Sequence, residues 1–85
     1  MKRARVRTVD QLKKYLGQGK TEFFILLRGG LRSSKYIQPT SQGRFWVVNY
    51  IDSTDQTLSQ KQLVDDSLTN IGRAMEAGAF YCGCD

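Results

Sequence analysis

Residues 21–28, Thr-Glu-Phe-Phe-Ile-Leu-Leu-Arg, are apolar, aromatic or β-branched at nearly every position and run into Gly29-Gly30. A strand with one wet face alternates apolar and polar side chains, whereas a strand enclosed by neighbours does not. The pattern therefore predicts an inner strand over 21–28. The glycine pair tolerates the positive φ angles of a tight turn, so residues 31–37 read as the returning strand of a hairpin. Residues 38–43 hold the single proline and are polar turn material. Residues 44–51, with Phe45, Trp46, Val47, Val48, Tyr50 and Ile51, read as a third main strand.

The flanks supply helices and short strands. Residues 3–7 alternate Arg3, Arg5 and Arg7 with Ala4 and Val6, the period of a strand with one face on a core. Thr8 and Gln11 stand in capping-box spacing, and Val9, Leu12 and Leu16 give a helical period up to Gly17. Beyond residues 52–55 the pattern becomes helical. Ser59 and Gln62 repeat the capping-box spacing, a further helix over 70–77 presents Ile71, Ala74 and Met75 before Gly78, and residues 79–81 add a last short strand. The expectation is an α+β fold, an antiparallel sheet of three to five strands with two or three short helices mainly on one face. Residues 1–81 form a single domain in this reading, and 82–85 a frayed C-terminal tail.

A two-residue Gly29-Gly30 turn would oppose Phe24 to Lys35 and Phe23 to Tyr36. With Ile37 opposite Arg44, one face collects Phe23, Ile25, Leu27, Tyr36, Phe45 and Val47 for the helices to cover. The other face carries Phe24, Arg28, Lys35, Trp46 and Tyr50. A one-residue slip would reverse these faces.

A chain of 85 residues buries only about 60 to 65% of its unfolded surface, so a homodimer would add useful stability. No run reaches the ~20 apolar residues of a membrane span, and the basic start is followed by charged positions rather than a signal-peptide core. The expectation is a cytoplasmic protein with no membrane partner. Cys82 and Cys84 lie too close to the end to staple the body of the fold, which fits a reducing compartment.

Charge carries the functional signal. Eleven of the thirteen Lys and Arg residues fall in the first 44 positions, opposed there by Asp10 and Glu22 alone, which puts that half at about +9 and the remainder at about −4. Arg28, Arg32, Ser33, Ser34, Lys35, Arg44, Trp46 and Tyr50 form the candidate binding set, with Arg3, Arg5 and Arg7 as an auxiliary basic strand. Cations for phosphates and flat rings for bases are what a nucleic-acid surface requires. The competing reading is a solvated face on which Lys and Arg stems cover aromatic rings. Residues 28–35 also suggest a phosphate cradle, but they match neither the P-loop nor the dinucleotide spacing, and a hairpin turn accounts for them.

Catalysis has few agents here. The chain has no histidine, so Ser33 and Ser34 lack a base, and Cys82-Gly83-Cys84 offers two thiolates where a tetrahedral zinc needs four ligands. Asp52, Asp55, Asp65 and Asp66 lack an EF-hand's ligand order and read as caps and solvated loop positions. The expectation is a non-enzymatic binding protein with no metal and no cofactor.

Three segments add to this reading: residues 30–35, Gly-Leu-Arg-Ser-Ser-Lys; residues 49–52, Asn-Tyr-Ile-Asp; and residues 70–79, Asn-Ile-Gly-Arg-Ala-Met-Glu-Ala-Gly-Ala. Together they resemble a family of short proteins encoded by phages, prophages and conjugative elements, over roughly residues 8–81. The resemblance implies no activity, cofactor or catalytic residue. It implies a protein that works by binding, either to nucleic acid or to a host protein in the manner of anti-defence proteins, and it points first to Gly30, Leu31, Arg32, Ser33, Ser34 and Lys35. Nucleic acid ranks marginally ahead of a host protein, with a structural homo-oligomer third.

Overall fold

The computed structural model describes residues 3–65 and 70–83. Its elements run β1 (Ala4–Arg5), α1 (Val9–Gly17), β2 (Glu22–Leu26), β3 (Arg32–Pro39), β4 (Phe45–Asn49), β5 (Thr54–Leu58), α2 (Gln60–Asp65), α3 (Ile71–Ala77) and β6 (Phe80–Cys82). The strands form one antiparallel sheet in the order β1-β6-β2-β3-β4-β5. The α+β class and the three helices match expectation, but the sheet has six strands rather than three to five. The extra strand is β5, whose Thr-Asp-Gln-Thr-Leu sequence carries one buried aliphatic, Leu58, and so lacks the apolar alternation of a strand.

β2 is the enclosed strand that its composition demands, paired with β6 on one side and β3 on the other. Phe23 and Ile25 face the helices and Phe24 the opposite side, so both parities are apolar for separate reasons. On the helix side, Val6, Phe23, Ile25, Ile37, Phe45, Val47, Leu58 and Phe80 pack against Leu12, Leu16, Leu63, Ile71, Ala74 and Met75. Phe23 and Phe80 stack across adjacent strands with centroids 5.6 Å apart. Each fully buried aliphatic or aromatic side chain in such a core contributes about 1.5 to 3 kcal/mol.

Local capping agrees with the spacing. Thr8 Oγ1 accepts from Gln11 N at 3.2 Å while Gln11 Oε1 accepts from Thr8 N, and Ser59 with Gln62 repeats the exchange ahead of α2. Gly78 closes α3 in the left-handed conformation, φ 71°. Gly72 of α3 lies against the backbone of α2, where a Cβ would come within 1.9 Å of the Val64 carbonyl oxygen. Cys82 is no part of a frayed tail: it is fully buried in β6, opposite Ala4 and Phe23. Among the described residues, no helix is long and apolar enough to cross a membrane.

The registers differ from the expected ones twice. Phe24 pairs with Ser34 and Phe23 with Lys35, because the hairpin loop holds three residues, Arg28–Gly30, with both glycines at φ near 84°, and is closed by Leu27 N donating to Leu31 O at 2.7 Å. Ile37 then pairs with Val47 rather than Arg44, since β3 runs on to Pro39 and the turn is held by Thr40 N donating to Arg44 O at 2.9 Å. Each displacement is an odd number of residues, so each inverts a face, and the two cancel at β4. β3 alone is reversed. Tyr36 moves from the expected core to the open face, and Lys35 moves into the core.

Candidate functional site

The side of the sheet opposite the helices is open, and alternation along five strands decides what it displays. A transverse row crosses it: Arg5 of β1 is opposite Tyr81 of β6, Tyr81 opposite Phe24 of β2, and Phe24 opposite Ser34 of β3, whose carbonyl accepts from Tyr50 N at 3.2 Å. Tyr81 and Phe24 stack with centroids 5.5 Å apart and planes 7° apart. Guanidiniums cover both rings, Arg32 above Phe24 at 5.1 Å and Arg3 and Arg5 above Tyr81 at 5.5 and 5.6 Å, and Arg5 also donates to the Tyr81 hydroxyl. Phe24 is in consequence only 5% exposed.

The neighbouring half of the face is uncovered. Trp46 is 37% exposed and Tyr50 53%, and Tyr36 meets Trp46 edge to face at 5.6 Å. Tyr36, Trp46, Val48 and Tyr50 line an apolar hollow of about 320 Å³. A second hollow of about 250 Å³ lies on the other side of Tyr50, between Phe24, Arg32, Ser34 and Glu22. Ser34 has the smallest side chain of the transverse row, and the second hollow lies above it. One volume is just above and the other below the lower limit of small-molecule pockets, roughly 300 to 1,000 Å³, so each is the size for one flat ring.

Of the expected binding residues, the fold thus brings together Arg3, Arg5, Arg32, Ser34, Trp46 and Tyr50. Arg28 is exposed in the hairpin turn, and Ser33 is half-buried on the helix-facing side opposite Ile25. Arg44 is engaged elsewhere, donating to Thr57 O at 3.0 Å and Gln62 Oε1 at 3.2 Å. Arg7 lies past the end of β1, where its guanidinium approaches Gly78 at the close of α3. Sequence reasoning missed Tyr36, which it placed in the core, and Tyr81, which meets Phe24 only through tertiary pairing. Ile37 was the available signal for Tyr36: it is the only aliphatic of β3, and putting it in the core turns Tyr36 outward.

Lys35 borders the second hollow, but its ammonium turns away from the open face. It is 4% exposed on the core side, where its ammonium donates to Asn49 Oδ1. The contact begins a chain across three strands: Asn49 Nδ2 donates to Thr54 Oγ1 at 3.2 Å, and Thr54 donates to Asp52 Oδ1 from its hydroxyl at 2.7 Å and its backbone N–H at 3.1 Å. Burial lowers the Lys35 pKa from its ordinary value, and the charge of Asp52 partly opposes this. The Thr54 hydroxyl, then its N–H, holds the Asp52 carboxyl below its ordinary range, with the Lys35 charge adding to the effect. Lys35 ends the 30–35 segment and Asn49 and Asp52 bound the 49–52 segment, and the fold uses them to tie β3, β4 and β5 together.

Among the described residues, no group of three or more His, Cys, Asp or Glu side chains is placed to hold a metal ion. Asp66 of the carboxylate grouping and Cys84 lie outside the described residues, and Cys82 is disulfide-bonded rather than the reduced thiol expected from the sequence. No family model matches the chain, and no curated protein or solved structure gives a significant match to it.

Proposed function

We propose that this is a non-catalytic nucleic-acid-binding protein that uses the open face of its sheet, and that it belongs to the short phage and mobile-element proteins it resembles in sequence. The observation that carries the reading is the placement of three guanidiniums, from Arg3, Arg5 and Arg32, over a Tyr81–Phe24 stack beside an uncovered aromatic patch. An arginine stacked on a ring keeps its charge and its in-plane N–H donors, and the ring beneath limits the conformations it loses on binding an anion. Cations for phosphates next to rings for bases match the chemistry of a polynucleotide.

The test is anisotropy of a labelled mixed-sequence oligonucleotide, single-stranded and duplex, at about 50 and 200 mM salt. Three phosphate contacts should weaken binding about 20- to 40-fold over that range. Arg5→Ala and Arg32→Ala should each lower affinity for every sequence and reduce the salt slope by about one contact. Lys61→Ala serves as the control, because Lys61 is an exposed residue of α2 paired with Asp65. Binding equally impaired by the control and the face variants, or no binding at about 50 mM salt, refutes the proposal.

A further inference from the structure

We infer that the open face takes single-stranded rather than duplex nucleic acid, and that two neighbouring bases sit astride Tyr50, one in each of the two hollows; this rests on the nucleic-acid reading of the face. The first ground is where the rings are. Tyr36 and Trp46 stand on the open face of β3 and β4 and Tyr50 just past the end of β4, and a duplex presents phosphates and groove edges to such a surface while its base faces stay stacked inside. Only unstacked bases offer a ring face to these side chains.

The second ground is the division of the face. Phe24 and Tyr81 are already capped by guanidiniums, so they are supports for charge and not stacking platforms. The uncovered rings begin at Tyr50, next to Ser34 in the same transverse row. A strand whose phosphates follow Arg5, Arg3 and Arg32 therefore has its nearest vacant ring positions on the two sides of Tyr50.

The hollows differ in chemistry. The one between Tyr36, Trp46, Val48 and Tyr50 is apolar, so it stacks any base alike. The one above Ser34 is lined by polar and charged residues, Ser34, Glu22, Arg32 and Lys35, beside Phe24 and Tyr50. A carboxylate accepts from the exocyclic amine of cytosine and a serine hydroxyl bonds base edges of either kind, while Arg32 stays with the phosphates. Sequence preference should therefore arise at one nucleotide of the pair, and the other should be read by shape alone.

Trp46 fluorescence and oligonucleotide anisotropy, measured on the same titrations, test this. Mixed ten-nucleotide single strands of DNA and of RNA should quench Trp46 on binding and bind at least tenfold tighter than the matched duplex. Ser34→Phe, which fills the polar hollow from an exposed face, should lower single-strand affinity about tenfold with an unchanged circular dichroism spectrum. Tyr50→Ala should do the same, since it removes one ring on which a base stacks. Equal affinity for duplex and single strand, or anisotropy binding with Trp46 fluorescence unchanged and Ser34→Phe neutral, overturns the inference while the nucleic-acid reading stands. Absence of binding to all of these probes overturns both.

Discussion

Replacing Gly72 by alanine should destabilise the protein even though alanine is the better helix former. In an unobstructed helix interior the exchange would stabilise by about 1 kcal/mol. Here the new Cβ would stand 1.9 Å from Val64 O, 2.7 Å from Val64 C and 2.9 Å from Val64 Cα. The obstacle is backbone, so no rotamer change relieves it. Ordinary contact begins near 3.4 Å, so α2 and α3 must separate by about 1.5 Å. That movement draws Ile71, Ala74 and Met75 off the sheet, all of them 5% exposed or less. Overpacking of this kind costs about 1 to 3 kcal/mol, and partial exposure of the displaced aliphatics adds about 1 to 2. After the helix-propensity gain is deducted, a net loss of about 1 to 4 kcal/mol remains. For a chain of this size, at about 4 to 8 °C per kcal/mol, that lowers Tm by about 5 to 30 °C. Thermal and urea unfolding followed by circular dichroism would measure it. Gly17→Ala is the control, since nothing lies within 4 Å of its added Cβ, and it should be neutral or slightly stabilising. A Gly72→Ala variant melting at or above the parent temperature would refute the helix contact as described.

Other consequences are open to the same unfolding assays. Thr8→Ala removes the acceptor of Gln11 N and should cost about 1 kcal/mol, a fall in Tm of about 4 to 8 °C; an unchanged Tm would mean that the α1 cap contributes nothing. Lys35→Met leaves the buried Asn49 Oδ1 without its donor, at a cost of about 1 to 3 kcal/mol, and Lys35→Met with Asn49→Leu should recover most of that loss; a double variant no better than the single one would show that the polar chain is needed as a whole. Because the folded Lys35 pKa is lowered, the unfolded chain binds the extra proton between that value and 10.5, so stability should rise with pH across this window and Lys35→Met should abolish the rise. The Asp52 pKa is lowered too, so its contribution is complete above 3.8 and is lost as pH falls below that through its folded value; Asp52→Asn should flatten this part of the acid-unfolding curve.

Much of the local structure was legible in the residues themselves. The capping boxes at Thr8 and Ser59, the stop at Gly78 and the enclosed position of β2 all follow from spacing, because each depends on neighbours within a few residues or on the composition of one strand. Arg3, Arg5, Arg32, Trp46 and Tyr50 were likewise visible as a basic and aromatic set. β5 was not, since an edge strand held by backbone hydrogen bonds to β4 needs few apolar side chains to declare it.

Tertiary pairing decided the rest. Strand side chains repeat every two residues, so one extra residue in the Arg28–Gly30 loop is enough to send Lys35 inward and Tyr36 outward, and within 32–39 Ile37 alone hints at which face is core. The Tyr81–Phe24 stack joins residues 57 positions apart, through a C-terminal strand inserted between β1 and β2. Types and periods of side chains are written along the chain. Which of them share a face is settled by strand order and register, and these are set by long-range hydrogen bonding and by burial of the core.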